Sequence, residues 1–433
     1  MLMPDNMNAS PIVNTPIRPL TANLAKLFHK RFAEFSESAA ASETGHLVHC
    51  LIEDALRERA SDIHLDPISD GLCIRFRIDG ALSDVARLPR LTGEHLLRYF
   101  KVNAGLNPAP SFVPEDSHMQ LEAGGKKVDL RLACAPCSMG EKLALRILQR
   151  SRVKIPLGEL GFLDEDRERI EQWLTEGSGM FVVAGPVGSG KTTTLYAILN
   201  EMHLNRKSIA TIEDPIEYQI DNINQMQVDP KHGLTFGRGL RAILRLDADM
   251  ILLGEIRDEE SAAVAIEASN TGRLLLSTLH SRDAAGVVTS LRNLGAKDHE
   301  IAAALAFVVA QRLVRKLCVK CRQKGKPSVA DAGWLGRIGE KVPRTAWRAV
   351  GCDACHGTGY AGRTGIFEVW RFDETSYEMV RSGTDEHGLR HHLEAIGMRS
   401  LLANGMRKAS EGITDLDELR RMGGFVRQSR KAG

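Results

Sequence analysis

The residues best suited to chemistry form one run: Gly185, Pro186, Val187, Gly188, Ser189, Gly190, Lys191 and Thr192. A glycine, four residues, then Gly-Lys-Thr is the phosphate-loop pattern. Glycines let the backbone curl until its N–H groups point inward at phosphate oxygens. The start of a following helix adds partial positive charge. The flanks fit this reading, since Met180 to Ala184 is an apolar strand candidate and Thr193 to Met202 a helix candidate. In such a loop Lys191 reaches the β- and γ-phosphates, Thr192 ligates magnesium, and Thr193 stands beside it at the helix start. The plain alternative is a glycine turn joining a strand to a helix. The complete pattern between the right flanks disfavours it.

Three further segments carry polar groups at the ends of apolar runs. Asp249 to Leu253 is an apolar strand candidate with Glu255 just beyond its C-terminal end. Ligands of parallel sheets sit at that edge, so Glu255 is placed to orient and deprotonate an attacking water. Thr211 to Glu217 supplies carboxylates after another short strand, Glu213 among them. Leu274 to Leu279 ends at His280, which is placed to sense a γ-phosphate. A lone carboxylate after a strand is usually just solvated. Several polar strand ends around one phosphate loop are harder to explain as scatter.

The bulk of the chain bounds what these groups can serve. Its 433 residues suffice for two to four domains with cores of their own. With 57 basic and 55 acidic residues the net charge is +2, so nothing demands a polyanionic partner. No run of 18 apolar residues is present and the N-terminus lacks a signal-peptide core, so the expectation is a cytoplasmic protein. In a reducing compartment its eight cysteines suggest metal or redox chemistry more than a disulfide framework.

The elements that must position the site follow from periodicity. Residues 1–20 are rich in Pro and Asn and read as disordered. Residues 21–36 read as an amphipathic helix with Leu24, Leu27, Phe28, Phe32 and Phe35 on one stripe. Residues 45–150 read as a small α+β domain. Leu47, Val48, Leu51, Ile52, Ala55 and Leu56 mark a core-facing helix. Leu72 to Ile78 alternates with period two and leads into the turn Asp79-Gly80, a hairpin signal. Val128 to Leu132 and Leu143 to Ile147 are two more strands. His64, between Ile63 and Leu65, reads as a satisfied structural histidine. A linker is expected at 151–160. Residues 161–316 alternate strand and helix, which predicts a parallel sheet covered on both faces. A cysteine module at 317–372 and a helical region at 373–433 with a basic end follow.

Cys318-Val-Lys-Cys321 and Cys352-Asp-Ala-Cys355 are two Cys-x-x-Cys knuckles, able together to offer four thiolates to one tetrahedral zinc. With no spare ligand position, such a site scaffolds and does not catalyse. Four free thiols at fortuitous spacing is the alternative. Cys134-Ala-Pro-Cys137 lacks a second pair, so a redox or metal role for it is disfavoured, and Cys50 and Cys73 read as small core residues.

Taken together, these motifs resemble the ATPases of bacterial type II secretion and type IV pilus assembly over about residues 45–420. Ala60 to Pro67 resembles the opening signature of that family's first domain, and Thr211 to Glu217 its aspartate box. Leu244 to Asp258 resembles its Walker B region, and Thr271 to Ala284 its histidine box. The resemblance implies a RecA-like P-loop core preceded by a PAS-like α+β domain, with the tetracysteine zinc module of assembly-type members. It implies Glu255 as catalytic base, Glu213 positioning magnesium or water, and His280 at the γ-phosphate. It implies Arg131 and Arg146, from the first domain, as charge-neutralising arginines. It places Arg241, Arg245 and Arg257 around the nucleotide and subunit boundary. It also implies a homohexamer that hydrolyses ATP with magnesium and passes domain motion to an inner-membrane platform protein. No nucleic acid is expected.

The chain departs from the family pattern in places. Gly272-Arg273 stands where the family has Gly-His, and Ser111 to His118 lacks both arginines flanking the corresponding family segment. Leu246 and Ala248 replace a Gln and a Pro. Only about 44 residues precede the first domain, so the larger docking domain of many members is expected to be absent, with the 21–36 helix as a reduced substitute or a piece of the home fold. Two rivals differ in class. A RecA-like nucleic-acid translocase should show a basic, aromatic-bearing channel, which near-neutral charge and 5% aromatic residues do not favour. A nucleotide-binding scaffold with negligible turnover fits poorly with Lys191 and Glu255 together.

Overall fold

The computed structural model describes residues 41–148, 155–203 and 207–423. The segment 1–40, with the amphipathic helix expected at 21–36, lies outside the described residues, as do residues 151–154 of the expected linker and the basic C-terminal end. The chain forms two compact units. Among the described residues, one comprises 41–148 together with Gly351–Thr358, the other those from 155 to 350 with 359–423.

In the first unit the helix Ala41–Arg57 precedes β1 (Asp62–Ile68), β2 (Gly71–Ile78) and β3 (Ala81–Pro89). A second helix, Arg90–Asn103, leads to β4 (Glu115–Ala123), β5 (Lys126–Cys137) and β6 (Gly140–Leu148). The sheet order is β3-β2-β1-β6-β5-β4. The expected hairpin is present. Asp79 and Gly80 take φ of 49° and 87°, the left-handed pair that matches strand twist and that Asp-Gly adopts at low cost. Period-two alternation puts Ile63, Leu65, Ile74, Phe76, Leu130, Leu132, Leu143 and Leu145 in one core with Leu51, Ile52, Leu96 and Phe100 of the helices. Cys50 and Cys73 are buried, as expected.

On β1 the alternate positions carry charge. Asp66 pairs with Arg75 at 2.6 Å and Lys142 at 2.9 Å, and Asp62 with Arg146 at 3.1 Å. His64 sits among them and departs from expectation. Its ring nitrogens are buried and make no hydrogen bond. Burial, then the cations Arg77 and Lys142, hold it below the ordinary imidazole value.

The second unit is built on a seven-stranded sheet of order β15-β12-β7-β11-β10-β8-β9. Its strands are β7 (Gly179–Ala184), β8 (Ile209–Glu213), β9 (Asn224–Gln227), β10 (Met250–Leu253), β11 (Leu274–Leu279), β12 (Leu305–Leu317) and β15 (Tyr360–Arg371). All neighbours pair in parallel except β12 with β15. The inner strands are uniformly buried, as strands covered on both faces must be. One face packs Val182, Leu253, Leu275 and Val288 together. The other packs Phe181, Leu195, Ile198 and Phe307. Between β12 and β15 lie the short ribbon β13 (Gln323–Gly325) with β14 (Ala346–Arg348), and the helix Val329–Arg337 capped by Ser328.

The expected helical C-terminal region consists of Glu374–Arg381, Glu386–Ala395, Leu401–Ser410 and Leu416–Arg421. Asp373, Asp385, Ser400 and Asp415 cap them in turn. Among the described residues no helix is long and apolar enough to cross a membrane.

This burial pattern sets an expectation for stability. Leu51 is fully buried in the first core, so Leu51→Ala should cost about 2–5 kcal/mol in denaturant unfolding. Val329→Ala, at a residue 91% exposed, should stay within about 0.5 kcal/mol.

Candidate nucleotide site and cysteine cluster

Parallel pairing brings four strand ends to one edge of the second sheet. Ala184 of β7 is level with Leu279 of β11 and Ala310 of β12, while Leu253 of β10 is level with Ser277 and with Ile212 of β8. The phosphate-loop segment, His280, Glu255 and Glu213 therefore leave the sheet on the same side, where ligands of such folds bind. Backbone bonds hold the exits close. Gly185 N donates to Leu279 O at 3.1 Å, Gly254 N to Ile212 O at 2.8 Å, and Ile256 N to Thr278 O at 3.0 Å.

The loop from Gly185 to Thr192 turns through Gly188 and Gly190, whose φ of 77° and 89° would strain any side chain. Pro186, Val187, Gly188 and Thr192 are exposed, Gly190, Lys191 and Thr193 half-buried, and Gly185 and Ser189 buried. Lys191 Nζ donates to Gly185 O at 2.9 Å and Pro186 O at 3.3 Å. Burial, then the charge of Arg312, lowers its pKa to about 8. A phosphate restores what burial removed, since an anion beside the ammonium favours the charged form.

Glu255 lies between Arg257 and His280. Arg257 is in ion contact with its carboxylate, and His280 Nε2 is 3.8 Å from Oε2. Arg257 also reaches Asp214 Oδ2 at 3.1 Å and lies over the Phe236 ring. Burial, then Lys191 and Arg257, depress His280 below its ordinary value, which favours neutral imidazole at physiological pH. The structure thus brings Glu255, His280 and Arg257 into direct contact, with Lys191 close enough to His280 to affect it.

The other expected residues are placed differently. Glu213 is buried, 4% exposed. Its carboxylate accepts from Thr211 Oγ1 at 2.6 Å, Gln225 Nε2 at 3.2 Å and the Tyr196 hydroxyl. Burial raises its pKa against those hydrogen bonds. These are the contacts of a carboxylate that braces the helix Lys191–His203 against the end of β8. Arg241 pairs with Glu260 at 2.7 Å, and Arg245 is exposed. In the first unit, His118, Arg131 and Arg146 occupy successive register positions on β4, β5 and β6, so the three share one face of that sheet. Arg131 and Arg146 are exposed, the latter bonded to Asp62 Oδ1.

The departures at the box segments fall at the opposite edge. Arg273 precedes β11, whose six residues separate it from His280, roughly 20 Å of strand. Its side chain donates to Ala248 O at 3.0 Å and Thr271 Oγ1 at 2.9 Å, so it braces the strand entrances.

Sequence reading missed Gln311 and Arg312 on β12. The Gln311 amide contacts the loop, and Arg312 bonds the Arg282 carbonyl at 2.7 Å. The signal was present, a Gln-Arg pair interrupting the apolar run from Leu305 to Val314.

The four cysteines 318, 321, 352 and 355 have sulfurs all within 4.8 Å of one another. Cys352 Sγ and Cys355 Sγ are 3.8 Å apart, and tight turns close each knuckle, Cys321 N to Cys318 O at 3.2 Å and Cys355 N to Cys352 O at 3.1 Å. Four thiolates about 2.3 Å from a tetrahedral zinc stand roughly 3.8 Å apart, so the donor set fits. The pair Cys134 and Cys137 behaves otherwise. Cys134 is buried, its thiol pushed up to about 11 by burial and Glu141, and Cys137 is exposed. That suits an inert thiol.

Comparison with known proteins agrees with this geometry. The family described as type II/IV secretion system protein matches residues 37–421. The type II secretion system ATPase E of Vibrio cholerae is 40% identical over 378 residues, 87% of this chain and 74% of that protein. The type IV pilus assembly ATPase PilB of Thermus thermophilus is 38% identical over 410 residues, 92% of this chain and 45% of that protein. In fold, the crystal structure of the Legionella pneumophila ATPase DotB superposes with a TM-score of 0.65 at 19% identity, over 90% of this chain and 97% of that one. The chain therefore belongs to the type II/IV secretion system protein family and is one of its ATP-hydrolysing members.

Proposed function

We propose that the chain couples ATP hydrolysis to assembly of a type IV pilus or type II secretion pseudopilus, as a hexamer at the inner membrane that pushes on a platform protein. The observation that carries the reading is the convergence of the Gly185–Thr192 loop, Glu255 and His280 at one sheet edge. Lys191 binds the β- and γ-phosphates, Thr192 holds magnesium, and the loop N–H groups from Gly188 to Thr193 supply the cradle. Glu255 takes the proton of the attacking water, with Arg257 and His280 fixing its carboxylate and His280 reading the γ-phosphate. Glu213 helps to position magnesium or water from beneath the edge, its own carboxylate held by Tyr196, Thr211 and Gln225. Arg131 and Arg146 supply charge to the nucleotide, and Arg241 and Arg245 serve the subunit boundary. Positioned positive charge is what phosphoryl transfer gains most from.

The cysteine cluster holds one structural zinc. Cys318, Cys321, Cys352 and Cys355 would fill all four of its positions with sulfur and leave none for substrate.

Four outcomes test these assignments. Turnover per subunit should rise with protein concentration as oligomers form. Glu255→Gln should lower turnover by about 100-fold or more while still binding ATP; equal rates in the two proteins would remove Glu255 from the mechanism. ATP affinity should fall as pH rises above about 8, because phosphate pairs with protonated Lys191 and the ligand-free protein releases that proton near there. Calorimetry in buffers of different ionisation heat should show proton uptake on binding. Elemental analysis should find one zinc per chain, lost in Cys318→Ser with a drop in melting temperature; a metal-free wild type of equal stability would reject the zinc.

A further inference from the structure

The phosphate loop rests on one side chain from a strand that carries none of the recognised motifs. Gln311 is 1% exposed and lies one residue beyond Ala310, which is level with Ala184 at the end of β7. There β7 gives way to the loop, while β12 runs on behind it to Leu317. Both ends of the Gln311 amide are used. Nε2 donates to Ser189 O at 2.7 Å, in the crown of the loop, and Oε1 accepts from Thr194 Oγ1 at 2.8 Å, in the helix that follows. The fit around it is close. A Cβ at Gly185 would meet Gln311 O at 2.7 Å, and one at Gly190 would meet Gln311 Nε2 at 3.2 Å. The next residue ties in a second exit. Arg312 donates to Gln311 O at 2.8 Å and to Arg282 O at 2.7 Å, just past His280.

We propose that Gln311 is a positioning residue for the nucleotide, its amide clamping the crown of the phosphate loop to the first helical turns so that the backbone N–H groups stay aimed at the phosphates. The chemistry suits an amide. With a donor and an acceptor on one carbon it meets the Ser189 carbonyl and the Thr194 hydroxyl at once. Leucine matches the volume and leaves both partners buried and unpaired. Glutamate keeps the acceptor for Thr194 but turns a second acceptor towards Ser189 O. The role differs from that of a core residue, because the groups it holds are those that contact phosphate. Ground-state nucleotide binding should therefore suffer more than the chemical step.

The inference rests on reading Gly185–Thr192 as the phosphate loop, so Lys191→Ala is measured alongside Gln311→Leu, Gln311→Glu and Thr194→Val in the full chain. The readouts are the Kd of a fluorescent ATP analogue, the separate kcat and KM for ATP, and hydrogen exchange of the loop amides. Gln311→Leu and Gln311→Glu should each raise Kd and KM by about 10-fold while kcat changes less than about 3-fold, with faster exchange at Gly188 to Lys191. Thr194→Val, which removes one arm only, should move Kd in the same direction by a smaller factor. It decides the matter if the Gln311 variants do not fold. Wild-type affinity in Lys191→Ala would overturn the phosphate-loop reading and this proposal with it. Weakened binding in Lys191→Ala beside wild-type Kd in Thr194→Val and any folded Gln311 variant would overturn the clamp alone.

Discussion

The parallel register of β7, β11, β10 and β8 is the constraint on which the site depends. Each strand is short, apolar and buried on both faces, so a slip of one residue would leave ladder bonds unmade inside the core. With the register held, the strands end together, and the chain must leave the sheet at Ala184, Leu279, Leu253 and Glu213 within a narrow band. Lys191, His280 and Glu255 lie far apart in sequence, yet none needs a long reach to meet the others. The electrostatics follow from the same crowding. Partial burial depresses Lys191 and His280, with Arg312 acting on Lys191 and both Lys191 and Arg257 acting on His280, so a phosphate at this edge would favour the charged lysine.

Much of this was legible in the chain because the informative residues are local. The phosphate loop is contiguous. Glu255 and His280 each follow an apolar run whose length fixes the strand end, and the two cysteine pairs carry their own spacing. The hairpin at Asp79-Gly80 was equally plain, since only certain residues accept its backbone angles. Groups whose partners are remote in sequence were not legible. Gln311 lies 122 residues from Ser189, and no local pattern reveals that pairing. His64 was misjudged for a related reason. Alternation correctly placed it opposite the core, but the lattice of Asp62, Asp66, Arg75 and Lys142 satisfies itself and leaves the imidazole out. Glu213 shows the limit of motif reading. The resemblance assigns it to position magnesium or water, and only the structure reveals that Tyr196, Thr211 and Gln225 enclose its carboxylate.

The C-terminal helices are joined to the sheet through buried polar groups as well as apolar contact. Glu368 of β15 accepts from Ala284 N and Leu401 N, each at 3.0 Å, so one carboxylate holds the starts of two helices. Burial lifts it to about 7. Glu418 pairs with Arg315 at 2.5 Å, and Asp415 with the Tyr360 hydroxyl at 2.9 Å. Breaking one member of such pairs strands a charge where water cannot reach it, so the sheet and its C-terminal helices resist separation.

The length of β12 has a mechanical consequence. It is one continuous strand from the core of the sheet to Leu317, and Cys318 follows it directly. From Gln311 to Cys318 is seven residues, roughly 23 Å of extended chain, so a tilt of about 10° at the loop sweeps the cysteine end through roughly 4 Å. Antiparallel pairing with β15 along this stretch stiffens it, apart from the irregularity between Arg315 and Leu317. The strand thus has the proportions of a pointer running from beside the phosphate loop to the cysteine cluster, its far end held by Leu317 N donating to Ile413 O at 2.8 Å and Cys318 N to Gly359 O at 2.9 Å.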